Sequence, residues 1–192
     1  VEKLSWWDAA AYLNKLSELK GLKPAYELSD VVKDDNGSIK SAGVKISAPT
    51  IYDTEGYRLP TEAEEESLIR AGTNSPYSYG SCNESAMDDY AWYYENSFYR
   101  THAVGLKKPN LWGIYDVCGN AYRWTNDWYG EYSSNAVANP TGPNAGFNRV
   151  VRGGSFLYFD AKFLRSALRY RGSPGARHDY CGVGLRPVRS IH

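Results

Sequence analysis

The stretch KKPNLWGIYDVCGNAYRWTNDWYG, residues Lys107–Gly130, decides how the rest of this chain is read. At its centre Gly119 stands beside Asn120, and these two residue types take the backbone through a tight reversal at low cost. Rings flank the reversal on both sides: Trp112 and Tyr115 before it, Tyr122, Trp124, Trp128 and Tyr129 after it. Aromatic side chains placed this way cover irregular backbone and build a core where regular structure is sparse.

Upstream, the pattern is more regular. SWWDAAAYLNKLSELKG (Ser5–Gly21) reads as a helix with both ends marked. Ser5 caps it, Asp8 completes a capping box, and Gly21 closes it, with Trp6, Ala9, Leu13 and Leu16 on one face. The next segment, YELSD to VKIS, reads as short strands around the Asn36-Gly37 turn. TEAEEESLIRAG (Thr61–Gly72) is a second helix, with Thr61 as cap, Glu64 completing the box, Gly72 as stop and early glutamates favoured by the helix dipole. From about Thr73 onward Gly, Pro, Asn, Ser and Tyr interrupt every few residues, and RVVRGGS and VGLRPV read as strands between long loops. Two helices followed by a loop-rich half with short strands make an α+β fold, and 1–192 reads as one domain without linker or repeat.

Composition narrows the function classes. The 192 residues suffice for a domain with a sizeable core. The 22 basic and 22 acidic residues cancel, which argues against a nucleic-acid partner. No apolar run is long enough to span a bilayer. The chain opens on VEKLSWWDAA, without initiator Met or leader, and reads as a trimmed or mature fragment whose address is not informative. The aromatic share of 15% is carried mostly by 17 Tyr, a residue suited to adhesive surfaces as well as cores. Cys82, Cys118 and Cys181 are odd in number and widely spaced, make no metal motif, and read as free thiols.

Three stretches together resemble the formylglycine-generating enzyme, or sulfatase-modifying factor, family: YRLPTEAE (Tyr57–Glu64), the Lys107–Gly130 stretch, and RVVRGGSF…LRSALRYRGSP…GVGLRPV (Arg149–Val188). SWWDAAAYLNKLS agrees with them, so the resemblance runs in order along nearly the whole chain. It implies a C-type-lectin-like fold, with this chain as the central and C-terminal part of a domain that begins upstream. Pro60 holds the chain extended before the Thr61 cap, and Arg152, Arg165 and Arg186 are suited to tying loops together.

The enzyme chemistry that the resemblance implies depends on a pair of cysteines that bind copper in the C-terminal segment, thiolates being soft ligands for Cu(I). That segment reads SFLYFDAKFLRSALRYRG, with Ser166 where relatives carry Cys, so catalytic residues and cofactors are both expected to be absent. The alternative is an oxidoreductase of this class that modifies a cysteine in a partner protein, for which Cys181 would have to meet Cys118 or Cys82 in space. A sister branch uses a histidine-rich iron site, but His102, His178 and His192 have no paired spacing, and His178 beside Asp179 and Cys181 reads as a loop residue. Family members also bind calcium at a Gly-Asn-small-aromatic-Glu-Trp turn, where carbonyls and a carboxylate suit a hard cation. In DVCGNAYRW the carboxylate position is Arg123, which is expected to replace the ion and to pair with Asp116 or Asp127. A sugar-binding lectin is a third reading, which the fold alone does not support.

The composition of the C-terminal segment points elsewhere. Between Gly154 and Val183, Lys162 is the sole member of the set Glu, Lys, Gln, Met and Trp, while all six Trp lie at or before Trp128. The residues present are those that codons of the form NNC specify, as results when the adenines of AAC are randomised. This resembles the variable proteins of diversity-generating retroelements, with 153–188 as the candidate variable region. Such variation is tolerated on exposed faces of a rigid scaffold and not in a packed core. The expected face comprises Phe156, Leu157, Tyr158, Phe159, Asp160, Phe163, Leu168, Tyr170, Arg171, Ala176, His178, Asp179, Tyr180 and Cys181, while Leu164, Ala167 and Val183 read as packing. The resemblance implies a non-enzymatic, adhesin-like binding domain displayed at a bacterial surface, often as a lipoprotein, with a macromolecular ligand, most readily a protein.

Overall fold

A computed structural model describes residues 2–81, 84–177 and 182–191. Helix α1 (Trp6–Leu19) starts at the expected capping box: Ser5 Oγ accepts the Asp8 N–H at 3.1 Å, and the Asp8 carboxylate accepts the Ser5 N–H at 3.1 Å. Asp8 reaches further, to the Ile39 N–H at 2.9 Å and to Arg177 at 2.8 Å, so the cap also anchors distant chain. Strands β1 (Tyr26–Lys33) and β2 (Ile39–Ile46) form an antiparallel hairpin. Its turn is closed by Asp34, whose carboxylate accepts the Asn36 and Ser38 N–H groups at 2.9 Å, with Gly37 at φ 80°.

Helix α2 (Glu62–Arg70) likewise begins at its predicted box, Thr61 with Glu64, and Arg58 grips Glu64 through two nitrogens at 2.7 and 2.8 Å. Its left-handed cap is Ala71, at φ 49°, one residue before the expected Gly72. Beyond it the loop-rich half carries two single-turn helices, α3 (Met87–Tyr90) and α4 (Tyr94–Ser97). Four short strands follow, β3 (Tyr122–Trp128), β4 (Arg149–Arg152), β5 (Arg169–Gly172) and β6 (Val183–Gly184). They form one sheet in the order β5-β4-β3-β6, antiparallel except for the parallel β3–β6 pair.

Two apolar clusters hold these layers. The larger gathers Trp6, Leu13, Tyr26, Leu59, Tyr122, Trp124, Val151 and Val183, and so joins α1 and the hairpin to the sheet. Its tryptophans keep their N–H groups paired: Trp6 Nε1 donates to the Thr125 carbonyl at 2.8 Å and Trp124 Nε1 to the Leu4 carbonyl at 3.0 Å. The smaller cluster packs Ile69 of α2 with Tyr77, Tyr79, Met87, Tyr93, Val117, Cys118 and Leu164. Leu164 and Val183 are buried as expected, whereas Ala167 is exposed and does not pack.

Charge is buried between α2 and the sheet. Glu62, Glu65 and Glu66 share one helix face by their spacing. Arg123 of β3 pairs with Glu65, Arg152 of β4 with Glu66, and Arg169 of β5 with Glu62 at 2.6 Å. Arg186 adds a long-range tie to the Tyr115 carbonyl at 2.8 Å. Arg165, expected to do the same, is exposed and reaches only the Lys162 carbonyl at 3.0 Å.

Glu65→Ala strands the buried Arg123 guanidinium and is expected to cost about 3–5 kcal/mol in urea unfolding. The double replacement Glu65→Leu with Arg123→Met should recover most of that loss. A cost under about 1 kcal/mol for the single variant, the size of an exposed pair, would contradict this account.

Candidate ligand-binding face

The face begins where β4 ends. Gly153 and Gly154 both have positive φ, 92° and 73°. A Cβ on Gly153 would overlap the Arg123 guanidinium, and one on Gly154 would sit 2.5 Å from a Leu164 methyl. Only glycine fits here. The next residues are pinned to the framework through the backbone: Phe156 N–H to the Asn120 carbonyl at 3.0 Å, Ser97 Oγ to the Phe156 carbonyl at 3.0 Å, and Tyr94 N–H to the Tyr158 carbonyl at 3.1 Å. Asp160 then caps a 3-10 turn, Ala161–Leu164, by accepting the Lys162 N–H at 2.8 Å, and Ser166 N–H ties to the Pro76 carbonyl at 2.7 Å before β5.

Rings connect along this path. Tyr170 stacks on Tyr122 at 5.8 Å between centroids, Tyr122 meets Tyr158 at 5.8 Å, and Tyr158 stacks on Phe163 at 4.7 Å. Phe163 touches Phe159 at 6.3 Å, Phe159 meets Tyr94 at 6.4 Å, and Tyr94 meets Tyr99 at 4.9 Å. The structure thus brings together Tyr158, Phe159, Phe163 and Tyr170 from the expected set. Phe159 is 68% exposed and Tyr170 51%, while Leu157, Tyr158, Asp160, Phe163, Leu168 and Ala176 are half-buried. The Tyr158 hydroxyl meets that of Tyr122, so Tyr158 supports the face as much as it presents it.

Two expected members leave the face. Phe156 is 7% exposed, held inside by its two backbone bonds, and belongs to the interior. Arg171 follows Tyr170 on a strand and therefore points the opposite way, over the Tyr129 ring at 5.7 Å. His178, Asp179, Tyr180 and Cys181 lie outside the described residues. Sequence reasoning missed the framework residues Tyr94, Phe98 and Tyr99, exposed at 39, 78 and 63%. Their signal was the aromatic run WYYENSFY (Trp92–Tyr99), which belongs to no quoted motif. Phe98 and Tyr99 have φ of 52° and 56°, a region bulky side chains rarely adopt, and both rings stand in solvent.

The predicted partners of Arg123 are corrected. Its guanidinium pairs with Glu65 and donates to the backbone carbonyls of Asp116, at 3.0 Å, and Val117. The Asp116 carboxylate instead accepts the Gly105 N–H at 2.7 Å, and Asp127, pushed up to about 7 by burial, accepts the Glu62 N–H at 2.9 Å. Calcium does not fit this turn, because a fixed positive charge already takes its carbonyl oxygens. Cys118 is buried, its thiol pushed up by desolvation and donating to the Leu164 carbonyl at 3.3 Å. Among the described residues no three His, Cys, Asp or Glu side chains gather in an arrangement that could hold a metal.

Residues 1–191 match the sulfatase-modifying factor enzyme 1-like domain. The chain belongs to that family. LppX of Paenibacillus barcinonensis, a protein named as a chaperone, is 29% identical over 208 residues, which cover 99% of this chain and 69% of LppX. The formylglycine-generating enzyme of Bos taurus is 36% identical over 114 residues, 53% of this chain and 30% of that enzyme. Among solved structures, Treponema denticola variable protein 1 superposes with a TM-score of 0.84 at 33% identity, over 97% of this chain and 69% of that one. These relatives give the sulfatase-modifying factor domain its C-type-lectin-like fold here, in the α+β form that the sequence indicates.

If Arg123 stands in for the ion, the melting temperature is the same in millimolar calcium and in EDTA. A calcium-dependent rise of more than about 3 °C would show a bound ion and overturn the substitution.

Proposed function

We propose that this chain is a non-enzymatic ligand-binding domain whose C-terminal segment, 153–188, is a diversified site on a sulfatase-modifying factor scaffold. One observation carries the reading: Tyr158, Phe159, Phe163 and Tyr170, all in the segment whose composition follows NNC codons, join a connected path of rings completed by the framework residue Tyr122, with Phe159 and Tyr170 exposed. Similarity to Treponema denticola variable protein 1 supports it. The proposed contact set is Leu157, Tyr158, Phe159, Asp160, Phe163, Leu168, Tyr170 and Ala176, continued by His178, Asp179, Tyr180 and Cys181. Aromatic rings of restricted freedom beside a few charges suit a protein ligand, as in antibody loops. Display at a bacterial surface belongs to the same reading.

The second reading, an oxidoreductase of the formylglycine-generating class, is favoured by the Bos taurus relative. Against it stand the inaccessible Cys118 thiol and Ser166, a buried residue whose hydroxyl has no partner among the described residues, at the position where the resemblance implies a cysteine.

A display library varied at Leu157, Phe159, Phe163 and Tyr170 is expected to yield clones that bind a chosen protein such as lysozyme. Phe159→Ala with Tyr170→Ala should change stability by only about 0.5 kcal/mol per site, whereas Phe156→Ala should cost about 3–5 kcal/mol. Unfolding of the Phe159/Tyr170 variant, or a folded library without binders, would sink the proposal.

A further inference from the structure

Arg149 opens β4 with its side chain buried, at 7% exposure. The other deeply buried arginines, Arg58, Arg123 and Arg152, each hold a glutamate. Arg149 makes no salt bridge among the described residues. Its guanidinium carbon lies 3.5 Å from the centroid of the Trp128 ring and 4.0 Å from that of Trp6, Nη1 donates to the Asn126 carbonyl, and Nε has no hydrogen-bond partner among the described residues. Burial lowers its pKa to about 10, so it is still a cation at neutral pH. Asp127 is close enough to stabilise this charge but forms no salt bridge with it, and two rings and one carbonyl offset the desolvation of the buried cation only in part.

Arg149 lines a cavity of about 630 Å³, a size typical of small-molecule sites. Val44, Ile46 and Ile51 supply apolar wall, and Asn126 and Asn144 supply amides. Asn126 spends its oxygen on the Tyr26 hydroxyl at 3.3 Å, which leaves its NH2 group as a second donor at the wall that holds Arg149. Asp53 also lines the cavity, with its carboxylate bound to the Thr50 N–H and hydroxyl at 3.0 and 2.7 Å. With one carboxylate and one guanidinium in its lining, the cavity suits a monoanion better than a polyanion. Among the described residues, none of the proposed face lines this cavity.

We infer that this cavity binds a small organic monoanion, a carboxylate on an apolar body, with Arg149 as its counter-ion. The planar guanidinium matches a carboxylate in shape and charge, and the aliphatic wall accepts the remainder of the ligand. The site is independent of the aromatic face, so either can fail without the other.

Trp6 and Trp128 flank the guanidinium and report on it through their fluorescence. Titration of the whole chain with 3-methylbutanoate is expected to give a saturable change. The corresponding amide should bind roughly tenfold or more weakly, as loss of a charged hydrogen-bond partner implies, and inorganic phosphate should bind no better than the amide. Arg149→Gln, checked for fold by circular dichroism, should lose the response. Asn144→Asp, at an exposed wall position, should fold normally and weaken carboxylate binding by repulsion, which decides the matter if Arg149→Gln does not fold. No response, equal responses to acid and amide, a preference for phosphate, or unchanged binding in Asn144→Asp would each overturn the inference.

Discussion

The row of glutamates on α2, matched by arginines from successive strands, is the constraint on which the rest of the structure depends. Glu65 with Arg123, Glu66 with Arg152, and Glu62 with Arg169 link residues 58, 86 and 107 positions apart. Ion pairs of this kind contribute little net stability over well-packed apolar groups, because removing both charges from water is expensive. Their geometry is what matters here. A carboxylate and a guanidinium meet in few orientations, so each pair sets the distance and rotation of α2 relative to one strand. With so little regular structure in the second half, those settings hold the sheet edge from which the aromatic segment departs.

This division explains how a loop-rich segment has a defined shape. After β4 the chain is held by backbone contacts to Asn120, Ser97, Tyr94 and Pro76, none of which requires a particular side chain in the segment itself. Position is thus set by main-chain groups and contact chemistry by side chains. On the proposed reading, a frame that fixes the first leaves the second free at exposed Phe159 and Tyr170 but not at buried Phe156.

What was legible in the sequence follows from range. Both capping boxes and the Asn-Gly turn read correctly because a few adjacent residues determine them. The partner of Arg123 did not, because Glu65 lies on another element and local reading offered only nearby aspartates. Composition marked Phe159, Phe163 and Tyr170 as one set, and their rings join one path of contacts through Tyr158 and Tyr122. Composition carries no direction, so it did not separate Phe156, which turns inward after the glycines, or Arg171, which lies on the opposite side of β5 from Tyr170. Tyr94 and Tyr99 were missed because they lie in chain far from the segment they adjoin.

The glycine doublet at 153–154 carries an evolutionary consequence. Arg123 passes through the space that any Cβ on Gly153 would fill, and Leu164 does the same at Gly154. The seam between frame and segment is therefore also a fence. On the proposed reading, substitutions would be confined to positions beyond the buried Phe156, and a change at the doublet itself would collide with Leu164 or with the charge that holds the helix to the sheet.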